Sequence, residues 1–276
     1  MQTREVERIA CKSLKEFFRE IRPSRCPVVL TEAVDHWPAM QLWTHDYLAD
    51  TLGSLMVPCE RANLFDCVTV NDKGSIQRVD RPRIPLSQAI SAMREPNSIA
   101  YVTEWQALEE SSHLRSQVGL DSDDLFAHKN RSPMQMYIGS QKSYTPLHFD
   151  RAPNFTTHIR GSKTWKIFAP RDSKYLYPYP RLSQMGHFTH IHTKEDMNDF
   201  NRFPKLRNAV CWETEVHPGE IIYIPEYWWH SVSSIDETIS LHFFFKTPLL
   251  RAKQALTKPL NWLLRRRFNS DSNSKN

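Results

Sequence analysis

The chain has 276 residues, 40% of them hydrophobic and 24% charged, with a formal net charge of +5; this suits one elaborate β domain with helical additions rather than a fibrous or low-complexity chain. No stretch reaches eighteen uninterrupted apolar residues, so the reading is a soluble, cytoplasmic protein with no membrane partner. Five scattered cysteines without CxxC spacing argue against a disulfide framework or a thiolate zinc site, and the absence of GxGxxG and GxxxxGK[ST] argues against dinucleotide and P-loop chemistry.

In chain order, Leu14, Phe17, Phe18 and Ile21 recur at helical spacing until Pro23, predicting a helix over 13–22. Pro27 to Leu30 reads as a short apolar strand, and the residues after Trp43 as a helix capped near Thr44. Strands are expected within Val57 to Val70 and Ser98 to Thr103, with a helix from about Ser87 to Met93. From Met134 the texture changes to short alternating segments divided by Pro and Gly: MQMYIGS, TPLHFD, NFTTHIR, KTWKIFAP, EIIYIP and ISLHFFF. Such spacing predicts a mainly β fold, a barrel or double-sheet jelly roll. The organisation expected is helices and strands flanking the barrel over 1–97, a catalytic core over 98–247, a helical appendage over 248–268 and a disordered tail over 269–276. The leucines of the appendage suit either a homodimer contact or packing on the barrel; Arg265, Arg266 and Arg267 read as a solvated helix end.

His148-Phe149-Asp150 is the sole His-x-Asp/Glu match, where this composition gives about 1.3 by chance. On a strand, however, residues i and i+2 face the same side, so His148 and Asp150 can both enter a barrel while Phe149 packs outside. A third ligand must come from a distant strand. Pro218-Gly219 launches an apolar strand, Pro225 ends it, and His230 follows where the redirected chain can aim inward. Two imidazoles and one carboxylate on one face leave open positions, as non-haem Fe(II) oxygenases require for co-substrate and O2.

Such a site needs a reductant, and a 2-oxo acid can chelate iron while its far carboxylate seeks a cation. Lys163 alternates with Trp165 and Ile167 on the strand after the Arg160-Gly161 turn, and a lysine aimed into a barrel needs an anionic partner. Thr145 and Tyr101 could add hydroxyl donors.

The blocks TPLHFDRAPNFTTHIRGSKTWKIFAPRDSKYLYPYP and RFPKLRNAVCWETEVHPGEIIYIPEYWWHSV resemble the JmjC domain of the cupin-like protein hydroxylases, most closely the branch of the asparaginyl hydroxylase that inhibits hypoxia-inducible factor. The similarity is dense from about Met134 to Thr247 and weaker in PVVL, WPA and WTHDYL. It implies a double-stranded β-helix and iron held by His148, Asp150 and His230. It further implies Lys163, Thr145 and Tyr101 at the far carboxylate of 2-oxoglutarate, with Asn154 near the co-substrate. His242 stands where that branch carries an asparagine beside the iron-bound end of 2-oxoglutarate, and can still donate a hydrogen bond.

The activity implied is Fe(II)- and 2-oxoglutarate-dependent hydroxylation of a side chain in a protein or peptide, with succinate as co-product. Lysine demethylation is the less favoured outcome. The alternatives are modification of tRNA, for which the basic C-terminus leaves RNA open as a partner, modification of a small molecule, and a non-catalytic cupin binding module. The run His187-Phe-Thr-His190-Ile-His192 reads as a solvated loop or a substrate-flanking insertion rather than a second metal site. Tyr227, Trp228 and Trp229 are expected to be structural residues around the barrel mouth.

Overall fold

The computed structural model describes residues 1–11, 17, 25–60, 68–70, 76–78, 82–119 and 131–245. The predicted helix over 13–22 (apart from Phe17), the C-terminal appendage, its dimer contact and the tail lie outside the described residues.

Eight strands in the C-terminal half form the scaffold: β9 (Gln135–Gly139), β10 (Tyr144–Phe149), β11 (Asn154–Arg160), β12 (Lys163–Phe168), β13 (Val210–Val216), β14 (Ile221–Ile224), β15 (Trp229–Ser234) and β16 (Thr238–Phe244). Apart from β12 and β13, which are neighbours in one sheet, consecutive strands fall in two facing antiparallel sheets, in the orders β13-β12-β15-β10 and β14-β11-β16-β9. Strands consecutive in sequence but assigned to facing sheets make a double-stranded β-helix, the jelly-roll fold expected from the short alternating segments.

The first half of the chain extends and covers these sheets. β1 (Gln2–Glu5) pairs parallel to β13, while β2 (Glu7–Ala10) and β3 (Val28–Thr31) continue the larger sheet beyond β14. On its other edge β8 (Tyr101–Trp105) pairs with β9, followed by β4 (Met56–Glu60) and β7 (Arg83–Pro85); β5 (Val68–Val70) and β6 (Ile76–Arg78) form a separate ribbon. Helices α1 (Ala39–Leu42), α2 (His45–Leu52), α3 (Leu86–Met93), α4 (Ala107–Glu110) and α5 (Ser112–Ser116) join them. The Thr44 hydroxyl accepts from Tyr47 N at 3.0 Å, the expected cap of α2.

Three buried layers follow from strand alternation. Trp37, Trp43, Phe155, Leu241 and Phe243 fill the space between the larger sheet and the α-helical side. Trp165, Ile167, Ile222, Ile224 and Val232 fill the barrel interior. Leu147, Phe168, Trp229 and Cys211 face outward from the smaller sheet, covered by Leu176, Ile191, Met197, Phe203 and Leu206 of the long β12–β13 connection. The connection is therefore an outer wall of the barrel.

Two glycine turns hold the strand pairs in place. Gly161 (φ +66°) joins β11 to β12, and a Cβ there would strike the Glu237 carbonyl oxygen; Gly219 (φ +89°) opens β14 and would meet the Asp35 carboxylate at 2.6 Å.

Candidate metal centre and co-substrate pocket

Antiparallel pairing of β10 with β15 sets His148 directly opposite His230. Their ring centroids lie 4.3 Å apart. Asp150 follows just past the end of β10, with its Oδ2 3.5 Å from His230 Nε2. One ligand atom from each of the three lies within 4.8 Å of the other two, and this is the one such group of three or more among the described residues. His230 occupies a strand of its own, so its inward aim comes from ladder pairing on both sides, to His148 and to Ile167, rather than from a bend after Pro225.

The surrounding hydrogen bonds prepare the three side chains to bind a cation. His148 Nδ1 lies 2.8 Å from the Pro146 carbonyl oxygen and His230 Nδ1 lies 3.0 Å from that of Trp228. With Nδ1 donating to a carbonyl, each ring turns an unprotonated Nε2 toward Asp150, the tautomer a metal needs. Asn154 Nδ2 donates to Asp150 Oδ2 at 2.6 Å and fixes the carboxylate. A cation ~2.1 Å from each ligand would draw the three atoms, now within 4.8 Å of one another, to roughly 3 Å. Burial, and then the neighbouring His148, push the His230 imidazole down to about 3, keeping it neutral. For Asp150, burial favours the acid, but His148, His230, His242 and the Asn154 hydrogen bond together hold the carboxyl below its usual range. The neutral His230 imidazole and the ionised Asp150 carboxylate suit a divalent ion.

Thr145 enters the same cavity by a route that simple alternation forbids. Residues three apart on a regular strand face opposite sides, yet Thr145 pairs with Val232 and His148 with His230, three residues matched against two. The extra residue is a β-bulge at Pro146-Leu147, and it puts Thr145 and His148 on one face. Thr145 hydrogen-bonds Tyr101 on β8. Lys163, 2% exposed, donates from Nζ to Tyr101 Oη and Ser240 Oγ, both at 3.2 Å. Burial pulls its ammonium down to about 7. The structure thus brings Lys163, Thr145 and Tyr101 together as expected, and adds Ser240, which the alternation of ISLHFFF places on the face of His242.

His242 sits on the same cavity wall, opposite Thr156 of β11. Its Nε2 is buried without a hydrogen-bond partner, as are Asn154 Oδ1 and Thr156 Oγ1. Burial lowers the His242 imidazole to about 4, so it stays neutral. Orphaned polar atoms in a barrel interior require a guest or ordered water. Together they fit a polar, anionic co-substrate between the three ligands and Lys163.

The histidine run of the β12–β13 connection flanks this site. Phe149 N donates to the His187 carbonyl at 3.0 Å, and Phe188 stacks on His148 with centroids 5.4 Å apart. His190 and His192 instead gather around Tyr179, whose hydroxyl lies 3.0 Å from His192 Nε2. Nothing in the sequence spacing reveals that apposition, because a non-local bridge between residues 148 and 188 forms it. Trp228 and Trp229 are buried in the inner and outer layers and are structural; Tyr227, 37% exposed, remains at the rim with its N–H donating to the Asp150 carbonyl at 2.7 Å.

The profile of the family described as "Cupin-like domain" matches residues 14–250. Among curated proteins, the chain is 25% identical over 242 residues to "Lysine-specific demethylase 8" of Xenopus tropicalis, covering 87% of this chain and 52% of that protein. It is 25% identical over 245 residues to "Lysine-specific demethylase JMJ30" of Arabidopsis thaliana, covering 87% and 54%. A shorter match, 32% over 146 residues, links it to "HSPB1-associated protein 1" of Homo sapiens, covering 50% and 29%. The chain spans about half the length of the full-length relatives that match most of it. Among the described residues, no helix is long and apolar enough to cross a membrane.

Because Asn154 orients Asp150, Asn154→Ala is expected to weaken divalent-metal affinity by about 10- to 100-fold. Titration calorimetry with Mn(II) on the wild type and the variant checks this, with circular dichroism confirming that both are folded.

Proposed function

The chain belongs to the cupin-like domain family, and from that premise we propose that it is an Fe(II)- and 2-oxoglutarate-dependent oxygenase that hydroxylates a side chain in a protein or peptide. The observation that carries this reading is the convergence of two unlike sites in one barrel: three ligand side chains on one face, and a buried lysine that hydrogen-bonds the Tyr101 and Ser240 hydroxyls. A binding module has no need of both. In this reading His148, Asp150 and His230 hold the iron, and Lys163 with Thr145, Tyr101 and Ser240 receives the far carboxylate of 2-oxoglutarate. Asn154 and His242 line the metal-bound end.

Bound Fe(II) with 2-oxoglutarate supplies the activation of O2 that breaks a C–H bond, leaving succinate and CO2. The residues position that chemistry. His148 and His230, opposite each other on adjacent strands, would hold the ion together with Asp150. Trp165, stacked 5.9 Å from His230, together with Ile167 and Val232, excludes water from the interior. Tyr227, Phe149 and the 187–188 segment form the rim over which a peptide would lie.

The choice of hydroxylation over demethylation rests on the resemblance of the YIPxYWWH and LYPYP blocks to the hydroxylases. The two longer matches above carry the name lysine-specific demethylase, and both outcomes begin with oxidation of a C–H bond. Mass spectrometry separates them: +16 Da on the substrate for hydroxylation, loss of 14 Da for removal of a methyl group. Incubation with Fe(II), O2, 2-oxoglutarate and a proteome-derived peptide library is expected to give succinate and a +16 Da peptide. His148→Ala should lose succinate formation by at least about 100-fold, from the large cost of removing a metal ligand. No turnover in the wild type, equal to that of His148→Ala, would favour the binding module.

The state of Lys163 makes a second expectation. Its folded pKa, near 7, lies below the ordinary lysine value, so above pH 7 the folded, ligand-free chain holds fewer protons there than a carboxylate-bound chain requires. Affinity for 2-oxoglutarate should therefore fall as pH rises from 7 to 9, by up to about 100-fold over the two units. Lys163→Met should bind weakly with a flat profile. Calorimetry across that range checks it.

A further inference from the structure

We propose that His158 is an additional co-substrate-binding residue: together with Lys163 it receives the far carboxylate of a 2-oxo dicarboxylate in the buried part of the barrel remote from Asp150. The inference rests on the oxygenase reading above. His158 is fully buried, and neither of its ring nitrogens has a hydrogen-bond partner. A lone imidazole in a packed interior is costly unless something satisfies it, and one with both nitrogens idle is a place prepared for a guest.

Its position says which guest. On β11, Asn154, Thr156 and His158 occupy alternate positions and share the inward face. Asn154 holds Asp150 at the metal end, so His158 marks the far end of the same polar column. Across the ladder His158 is paired with Ser240, whose hydroxyl accepts from Lys163 Nζ at 3.2 Å. His158 therefore stands one cross-strand pair from the buried ammonium. Trp165 packs edge-on to His158 at 6.1 Å, centroid to centroid, and stacks on His230 at 5.9 Å, so its ring lies against both.

The chemistry of the pair is complementary to a carboxylate. Burial, then the Lys163 and His217 charges, keep the His158 imidazole neutral well below its ordinary titration range. A neutral imidazole offers one N–H donor without adding a second buried positive charge. One carboxylate oxygen can then take the ammonium and the other the imidazole N–H. A 2-oxo monocarboxylate chelates equally well at the metal end but offers nothing to His158.

The test uses the full chain loaded with Zn(II), which is diamagnetic and does not react with O2. Calorimetry compares 2-oxoglutarate with 2-oxobutyrate, which lacks the far carboxylate, for the wild type, His158→Leu and His158→Gln. Removing one hydrogen bond to a charged group is expected to weaken 2-oxoglutarate binding in His158→Leu by about 10- to 100-fold. 2-Oxobutyrate and Zn(II) affinities should stay unchanged, and His158→Gln, which restores an N–H, should recover most of the loss. An unchanged 2-oxoglutarate affinity in His158→Leu, or an equal loss for both acids, overturns the proposal while leaving the oxygenase reading intact. A wild type that binds neither acid overturns both. Should His158→Leu fail to fold, 15N NMR of histidine-labelled wild type decides. A ring-nitrogen shift at His158 with 2-oxoglutarate but not 2-oxobutyrate supports the assignment, and no shift, or the same shift with both, overturns it.

Discussion

Antiparallel pairing of β10 with β15 sets His148 across from His230, and every other feature of the site takes its position from that register. A slip of one residue on either strand would turn one imidazole out to the layer under the β12–β13 connection and bring Phe149 or Trp229 inward. The register is held from several directions. β15 is paired on its second edge with β12, which carries Lys163. Phe149 and Trp229 pack edge-to-face at 4.7 Å outside the barrel, locking the pair from the other side. The proposed metal ligands and the proposed co-substrate lysine are thus fastened to the same ladder.

That arrangement explains why costly groups are tolerated inside. A buried lysine with hydroxyl partners, two neutral histidines without partners for some or all ring nitrogens, and an idle threonine hydroxyl all face one cavity. Each loses hydration on folding, and the large apolar layers on both sides of the sheets offset the loss. The fold bears this expense where a polar ligand can recover it, so instability and function are concentrated in one place.

Much of this was legible in the residues. Period-two alternation marked six of the eight barrel strands, put Lys163 inward with Trp165, and set Phe149 outside while His148 faced in. Other parts could not be read locally. Val210–Val216 and Trp229–Ser234 are strands whose mixed polar and apolar residues make sense only between two neighbours. The bulge at Pro146-Leu147 breaks the alternation that would have turned Thr145 away, and only pairing with Val232 and His230 reveals it. The approach of His187 and Phe188 to β10 depends on the path of the long connection, and the isolation of His158 depends on what the barrel does not place beside it.

The central claim is that His148, Asp150 and His230 hold one ion with an open face that a keto acid chelates. X-ray absorption on the anaerobic Fe(II) protein measures it directly. The account predicts one iron per chain bound by two imidazoles and additional oxygen ligands, with 2-oxoglutarate exchanging water oxygens for a chelate while both imidazole shells persist, and with the imidazole signal reduced in His230→Ala. Iron bound with no imidazole scattering, or a site unaltered by 2-oxoglutarate, would contradict it.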